Sequence, residues 1–173
     1  GDGPFLTDMA ILPLNDDAPR RYIRYPYVTT AVVAACFLVF FYQLSLSEYA
    51  NKLFFTAYGT IPAAIFGNDP EDFIPGVAPV PPWSTLISSM YLHAGFMHII
   101  GNMLFLWVLG DNVEDSLGHT RYLCFYSICG ILAALAHSFS DPVSHIPMIG
   151  ASGAVSGIIG AYLILHPRAP IRV

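Results

Sequence analysis

The chain has 173 residues, of which 55% are hydrophobic and only 11% are charged, and its mean hydropathy is +0.57. A soluble domain carries roughly 25% charged residues, so this chain has too few charges to cover a water-facing surface and is predicted to be an integral membrane protein. Its net charge of −5 gives no basic surface for nucleic acid, which excludes that class of partner.

The chain begins with a polar segment. Residues 1–26 are interrupted by prolines, and we expect them to form a cytoplasmic tail with little fold of its own, followed by a membrane domain over residues 27–173. The first apolar segment, 27–46, is long enough to cross a bilayer as a helix. It is too long for a signal peptide and has no clear small-residue cleavage site, so an uncleaved anchor is expected.

The next segment, residues 47–84, is long for a loop, holds few charges and is rich in aromatic residues. Aromatic side chains favour the boundary between lipid and water. We therefore expect this first loop to lie in the outer membrane interface.

Three further apolar segments are predicted to cross the membrane. The second span lies within 86–110 and is expected to start near Gly95, the third covers 122–139, and the fourth covers 148–166. All must be helices, because lipid offers no partners for open backbone groups. The predicted fold is thus an all-α polytopic membrane protein with four transmembrane helices.

The basic residues indicate an orientation, because Lys and Arg concentrate in cytoplasmic loops. With a cytoplasmic N-terminus, six of the seven fall on the cytoplasmic side and only Lys52 falls outside. The six are Arg20, Arg21, Arg24, Arg121, Arg168 and Arg172.

Polar side chains occur within two of these spans. Ser152 lies near the outer end of the fourth span, where we expect it about one turn below the helix start. His98 lies at a similar shallow depth in the second span, and Asn102 follows one turn deeper on the same face. Three polar groups could therefore converge below the outer surface, where polar side chains suggest function. Each residue also has a structural alternative. The serine could serve helix packing, the histidine could bond to a backbone group, and the asparagine could bridge two helices.

Small residues surround the serine. Gly153 and Gly157 form a GxxxG pattern, which lets another helix approach closely, and Gly150 precedes the serine by two positions. The run is not the GxSxG turn of soluble hydrolases, because position 154 is Ala.

Two motifs resemble the rhomboid intramembrane serine proteases: His98-Ile99-Ile100-Gly101-Asn102, an HxxxN pattern, and Gly150-Ala151-Ser152-Gly153, a GxSG pattern. The stretch from residue 92 to residue 115 looks like the bacterial form nearly throughout, and the resemblance covers about residues 24–170. It implies a six-helix bundle with a long interfacial first loop, of which this chain holds four spans. It also implies that Ser152 is the nucleophile and that His98, Asn102 and the Ser152 backbone N–H form the oxyanion hole.

The sequence departs from the family pattern in two places. The family often has Trp-Arg before the second span, whereas this chain has Trp83-Ser84. The family's general base is a histidine on the sixth span, which is absent from these residues, so we expect a C-terminally truncated portion of a longer protease that is inactive alone. His137 and His145 lie on the correct side of the membrane, but neither matches the family's base.

The resemblance thus implies an intramembrane serine endopeptidase of the bacterial inner membrane, with its active site open to the outer side. Its partners would be transmembrane protein substrates and the bilayer, and no metal or cofactor is expected. The alternative is a non-catalytic rhomboid-like protein that binds membrane clients for turnover or trafficking. A transporter is disfavoured, because no charged residue lies within a predicted span. The oligomeric state stays open.

Overall fold

The computed structural model describes residues 15–16, 22–68, 80–167 and 171–172. Within them lie seven α-helices and one two-stranded ribbon. The helices are α1 (Tyr27–Ser45), α2 (Glu48–Tyr58), α3 (Pro62–Ile65), α4 (Thr85–Ser88), α5 (Phe96–Leu117), α6 (His119–Ser140) and α7 (Ser152–Leu165). Single 3₁₀ turns, Pro82–Ser84 and Ser89–Tyr91, flank α4, and strand β1 (Asn15–Asp16) pairs antiparallel with strand β2 (Ile171–Arg172). The rest of the expected N-terminal tail before Tyr22 lies outside the described residues.

Helices α1, α5 and α6 are long and apolar enough to cross a membrane, and α7 is an apolar helix of 14 residues. This confirms the predicted membrane bundle of helices. The start of α1 coincides with the start of the first predicted span, and α5 begins directly after Gly95, as expected.

Two predicted boundaries were wrong. Helix α5 continues past the predicted end at residue 110 to Leu117, and the acidic residues Glu114 and Asp115 in this extension are buried. Helix α7 begins at Ser152 instead of near residue 148, because Gly150 has φ +117°, outside the helical region.

The first loop contains more regular structure than the sequence suggested. Helix α2 begins after Ser47, whose side chain accepts a hydrogen bond from the Ala50 amide at 3.2 Å. The short helix α3 follows, and residues 69–79 lie outside the described residues. The exposed aromatic rings of Tyr49 and Trp83 fit the interfacial position expected for this loop.

Helix α5 is central and packs against α1, α6 and α7. Its buried Ile99 and Leu106 contribute to one apolar core that also includes Cys36 of α1, Tyr126 of α6 and Ile158 of α7. Helices α6 and α7 approach closely through small residues. A Cβ built at Gly153 would collide with Ala133, and one built at Gly157 would collide with Cys129, so the two backbones can meet only with glycine at both positions.

A buried carboxylate ties three helices together at the end of α5 far from His98. Glu114 is fully buried and accepts hydrogen bonds from the Val28 amide at 3.0 Å, the Thr29 amide at 2.8 Å and Thr29 Oγ1 at 2.7 Å. Its other contact is His119 Nδ1, 2.5 Å from Oε1. The neighbouring Asp115 accepts the Tyr22 and Ile23 amides at 2.8 and 2.6 Å. These two side chains therefore fix the chain entering α1 against α5.

We expect Glu114→Gln to destabilise the fold by about 3 kcal/mol, because Gln keeps only one of the two acceptor oxygens and puts N–H donors in place of the other in a buried site. The measurement is thermal unfolding in detergent micelles. Glu48→Gln is the matched control, since Glu48 pairs with Lys52 on an exposed face of α2 and loss of this pair should cost at most about 0.5 kcal/mol. Equal unfolding temperatures for the two variants would contradict the role assigned to Glu114.

Candidate functional site

Ser152 is the first residue of α7, and its side chain is exposed. The expectation that it lies one turn below the helix start is therefore wrong. The first intrahelical bond runs from the Val155 amide to the Ala151 carbonyl at 2.9 Å. The Ser152 N–H therefore lies at the positive end of the helix dipole, without a partner from the helix itself.

The backbone that leads into Ser152 is held at two points. Met148 and Thr60 form an antiparallel bridge, with N···O distances of 2.8 and 3.0 Å. The Gly150 amide donates to the Ser89 carbonyl at 2.8 Å. The loop before the serine is thus fixed by residues of the first loop and of the segment before α5.

His98 packs directly against this loop. A Cβ built at Gly150 would lie 2.6 Å from His98 Nε2 and 2.7 Å from its Cε1, and the positive φ of Gly150 also disfavours any side chain. His98 Nδ1 accepts a long hydrogen bond of 3.4 Å from the Ala94 amide. In a neutral ring the proton then resides on Nε2, so His98 presents a donor toward the loop that carries Ser152.

Asn102 is buried on α5, and its Nδ2 donates to the His98 carbonyl at 3.0 Å. This bond holds the side chain along its own helix. A carboxamide nitrogen has two hydrogens, so one N–H of Asn102 is left over from this contact. The structure thus places His98 against Gly150 and ties Asn102 to His98.

His93 supports His98 from the side. Its ring is almost fully buried and makes an edge contact with the His98 ring, with the centroids 5.1 Å apart. Burial, and next the neighbouring His98, lower the pKa of His93 to about 4. Gln43 of α1 binds the His93 backbone twice, donating to its carbonyl at 3.0 Å and accepting its amide at 3.2 Å. His93 is therefore a neutral packing partner for His98 near pH 7.

A cavity of about 290 Å³ opens beside Ser152, between α6, α7 and the segment before α5. Its polar lining includes Ser152, Ser89 and His137, and its α6 wall consists of small side chains. The small residues of that wall are Gly130, Ala133 and Ala134. An exposed serine hydroxyl and a histidine thus share one cavity.

The other histidines lie elsewhere. His145 is exposed in the loop between α6 and α7, while His119 contacts Glu114 and His166 approaches Ser116 Oγ at 3.3 Å. Within residues 22–68 and 80–167, the His, Cys, Asp and Glu side chains form no group of three that could hold a metal ion.

Sequence reasoning missed Thr60 and Ser89, and it did not place His137 beside Ser152. The contacts of Thr60 and Ser89 join segments far apart in sequence and leave no local pattern. The small residues of α6 four to eight positions before His137 offered a signal, because they mark the face that packs against α7.

Comparison with known proteins identifies a family. A family model described as "Rhomboid domain" matches residues 81–173, which is more than half of the chain and includes His98, Asn102 and Ser152. No solved structure matches the chain significantly.

Several individual proteins are similar over a shorter stretch. The chain is 34% identical to YdcA of Bacillus subtilis over 83 residues, which are 48% of this chain and 41% of that protein. It is 37% identical to RHOMBOID-like protein 5 of Arabidopsis thaliana over 78 residues, or 45% of this chain and 25% of that protein. It is 38% identical to the rhomboid protease GluP of Bacillus subtilis over 81 residues, which are 47% of this chain and 15% of that protein. The chain thus spans less than half the length of these relatives.

We expect Gly150→Ala to reduce the reactivity of Ser152 toward a fluorophosphonate by about 100-fold, because the methyl group would displace the His98 ring and strain the loop. The rate of covalent labelling in the full-length protein measures this. Gly160→Ala is the matched control on α7, since a Cβ there meets no atom of the described residues within 4 Å. Labelling of the Gly150 variant at the control rate would show that the contact with His98 does not govern the serine.

Proposed function

Since this chain belongs to the rhomboid family, we propose that it forms the nucleophile-bearing part of an intramembrane serine endopeptidase. The reaction is hydrolysis of peptide bonds in or near the transmembrane segments of other membrane proteins. The observation that carries this proposal is the exposed Ser152 at the start of α7, on a cavity and beside a loop that contacts His98.

In the proposed reaction, Ser152 Oγ attacks the carbonyl carbon of the scissile peptide bond. The hydroxyl proton passes to a general base, and the carbonyl oxygen becomes an oxyanion. His98 Nε2–H, the second N–H of Asn102 and the Ser152 backbone N–H are the proposed donors to that oxyanion. Donors fixed in a site shielded from water stabilise such charge strongly, and the loss of one typically slows the reaction about 10²- to 10³-fold.

We propose that the general base is a histidine contributed by a span beyond residue 173. His137 is the local alternative, because it lines the cavity that Ser152 faces. Serine is a weak nucleophile without a base, so the identity of the base decides whether these residues suffice for catalysis.

The protein is a multi-pass membrane protein of the rhomboid family. We further propose that it resides in a bacterial inner membrane with a cytoplasmic N-terminus, so that the cavity beside Ser152 opens to the outer side. Arg24 before α1 and Arg121 at the start of α6 support this orientation, because both lie at helix ends on the side away from Ser152.

A fluorophosphonate should label the full-length protein on Ser152, and Ser152→Ala should abolish labelling. The matched control is Ser156→Ala, which removes an exposed hydroxyl one turn further along α7 and should label normally. Mass spectrometry of the labelled peptide identifies the site. Equal labelling of the wild type and the Ser152 variant would refute the assignment, and complete absence of labelling would favour the non-catalytic, client-binding alternative.

His137→Gln should retain at least about a tenth of the wild-type labelling rate in the full-length protein, because its loss removes a cavity wall residue but not the proposed base. Loss of a true base would cost far more, since general-base assistance contributes about 10²- to 10⁴-fold. His145→Gln, in an exposed loop, is the control. A loss as deep as that of Ser152→Ala would assign the base to His137.

A further inference from the structure

Thr60 lies in the first loop, between α2 and α3, and is fully buried. Both of its backbone hydrogen-bonding groups are used by Met148, four residues before Ser152. The preceding residue reinforces this contact. A Cβ at Gly59 would lie 2.9 Å from Pro147 Cβ and 3.1 Å from Ile149 Cγ2, so the Gly59 backbone packs against the side chains on either side of Met148.

The Thr60 side chain makes a second connection. Its Oγ1 lies 2.9 Å from the Thr85 carbonyl and 3.0 Å from Ser89 Oγ. A hydroxyl has one hydrogen to donate, so Thr60 donates to Thr85 and accepts from Ser89. The residue that pairs with Met148 is thereby bonded to Ser89, whose carbonyl accepts the Gly150 amide.

These bonds close a ring. It runs from the Thr60 backbone to Met148, along the chain to Gly150, across to the Ser89 carbonyl, and back from Ser89 Oγ to Thr60 Oγ1. Both hydroxyl-bearing residues are buried, with Thr60 0% and Ser89 5% exposed, so water cannot easily replace a lost bond. The ring fixes the three residues Met148–Gly150 relative to α4.

We propose that Thr60 is a positioning residue for Ser152. It touches no reacting atom and acts by holding Gly150 where His98 Nε2 and the Ser152 N–H face the same point. This inference rests on the proposed function, in which both groups stabilise one oxyanion. Misplacement of such donors by about 1 Å can slow the reaction about 100-fold. The buried bonds of Thr60, which do not touch Ser152 themselves, can therefore affect the reaction rate.

The test compares four variants of the full-length protein in detergent: Thr60→Val, Thr60→Ser, Ser89→Ala and Thr56→Val. The rate of fluorophosphonate labelling is measured against probe concentration, at a temperature where thermal unfolding shows every variant folded. Thr60→Val should lower the maximal rate about 10- to 100-fold with little change in the half-saturating concentration. Thr60→Ser keeps the hydroxyl and should label within about threefold of the wild type.

Ser89→Ala breaks the ring from its other side and should lower the maximal rate as Thr60→Val does. Thr56→Val is the matched control, since the Thr56 hydroxyl donates to the Lys52 carbonyl within its own helix α2, and this variant should label normally. Labelling of Thr60→Val or Ser89→Ala at the wild-type rate would overturn the proposal.

Hydrogen exchange separates this proposal from the function on which it rests. In Thr60→Val the Met148 and Gly150 amides should exchange at least about tenfold faster, while amides in the middle of α7 should not change. If the wild-type protein is never labelled but these amides respond, the proposed function fails and the positioning role of Thr60 stands. If the amides do not respond, the positioning role fails whatever the enzyme does.

Discussion

The buried carboxylate of Glu114 constrains the arrangement of the bundle. Glu114 binds two amides and a hydroxyl at the start of α1 and the ring at the start of α6. A carboxylate buried away from water is tolerated only when hydrogen bonds satisfy its oxygens in this way. Helices α1, α5 and α6 must therefore keep their relative positions around Glu114. His98 lies sixteen residues earlier on the same helix, or roughly 24 Å away. The depth of the candidate site is therefore set from the opposite end of α5.

Helix α7 is governed by a different constraint. Its 14 residues span roughly 21 Å, which is less than the roughly 30 Å of hydrocarbon that a bilayer presents. Helix α7 is therefore too short to cross that layer alone, and the non-helical residues 147–151 lie directly before it. Within the hydrocarbon of a bilayer, non-helical backbone is stable only where other protein groups bury it or water reaches it. In residues 147–151, Thr60 and Ser89 bind the backbone of Met148 and Gly150 and so satisfy backbone groups of both residues within the protein.

The sequence predicted those features that depend on local composition. The positions of α1, α5 and α6 follow from runs of apolar residues, because lipid leaves the backbone no alternative to a helix. The end of α5 did not follow, since the turn that carries Glu114 and Asp115 depends on their bonds to Tyr22, Ile23, Val28 and Thr29, which no local pattern shows. The start of α7 at Ser152 depends on Gly150, whose positive φ is fixed by contacts with His98 and Ser89. The HxxxN and GxSG motifs predicted the residues of the candidate site. The ring through Thr60 joins residues 60, 89 and 148, which are too far apart in sequence for a local pattern to indicate the contact.

The helix bundle and the loop before Ser152 are stabilised by different interactions, so a substitution can affect one of them without the other. Gly153 and Gly157 allow α7 to lie against α6, and dispersion between the closely packed helices stabilises this contact. The loop above them is held by hydrogen bonds of Thr60 and Ser89, which contribute little apolar area. Loss of a glycine should therefore affect the whole bundle, whereas loss of one hydroxyl should relax only the segment that presents Ser152. The packed helices α6 and α7 form a rigid support, and a few buried hydrogen bonds fix the loop that precedes Ser152. Ser152 can therefore stay exposed to its cavity while the backbone N–H groups around it keep their positions.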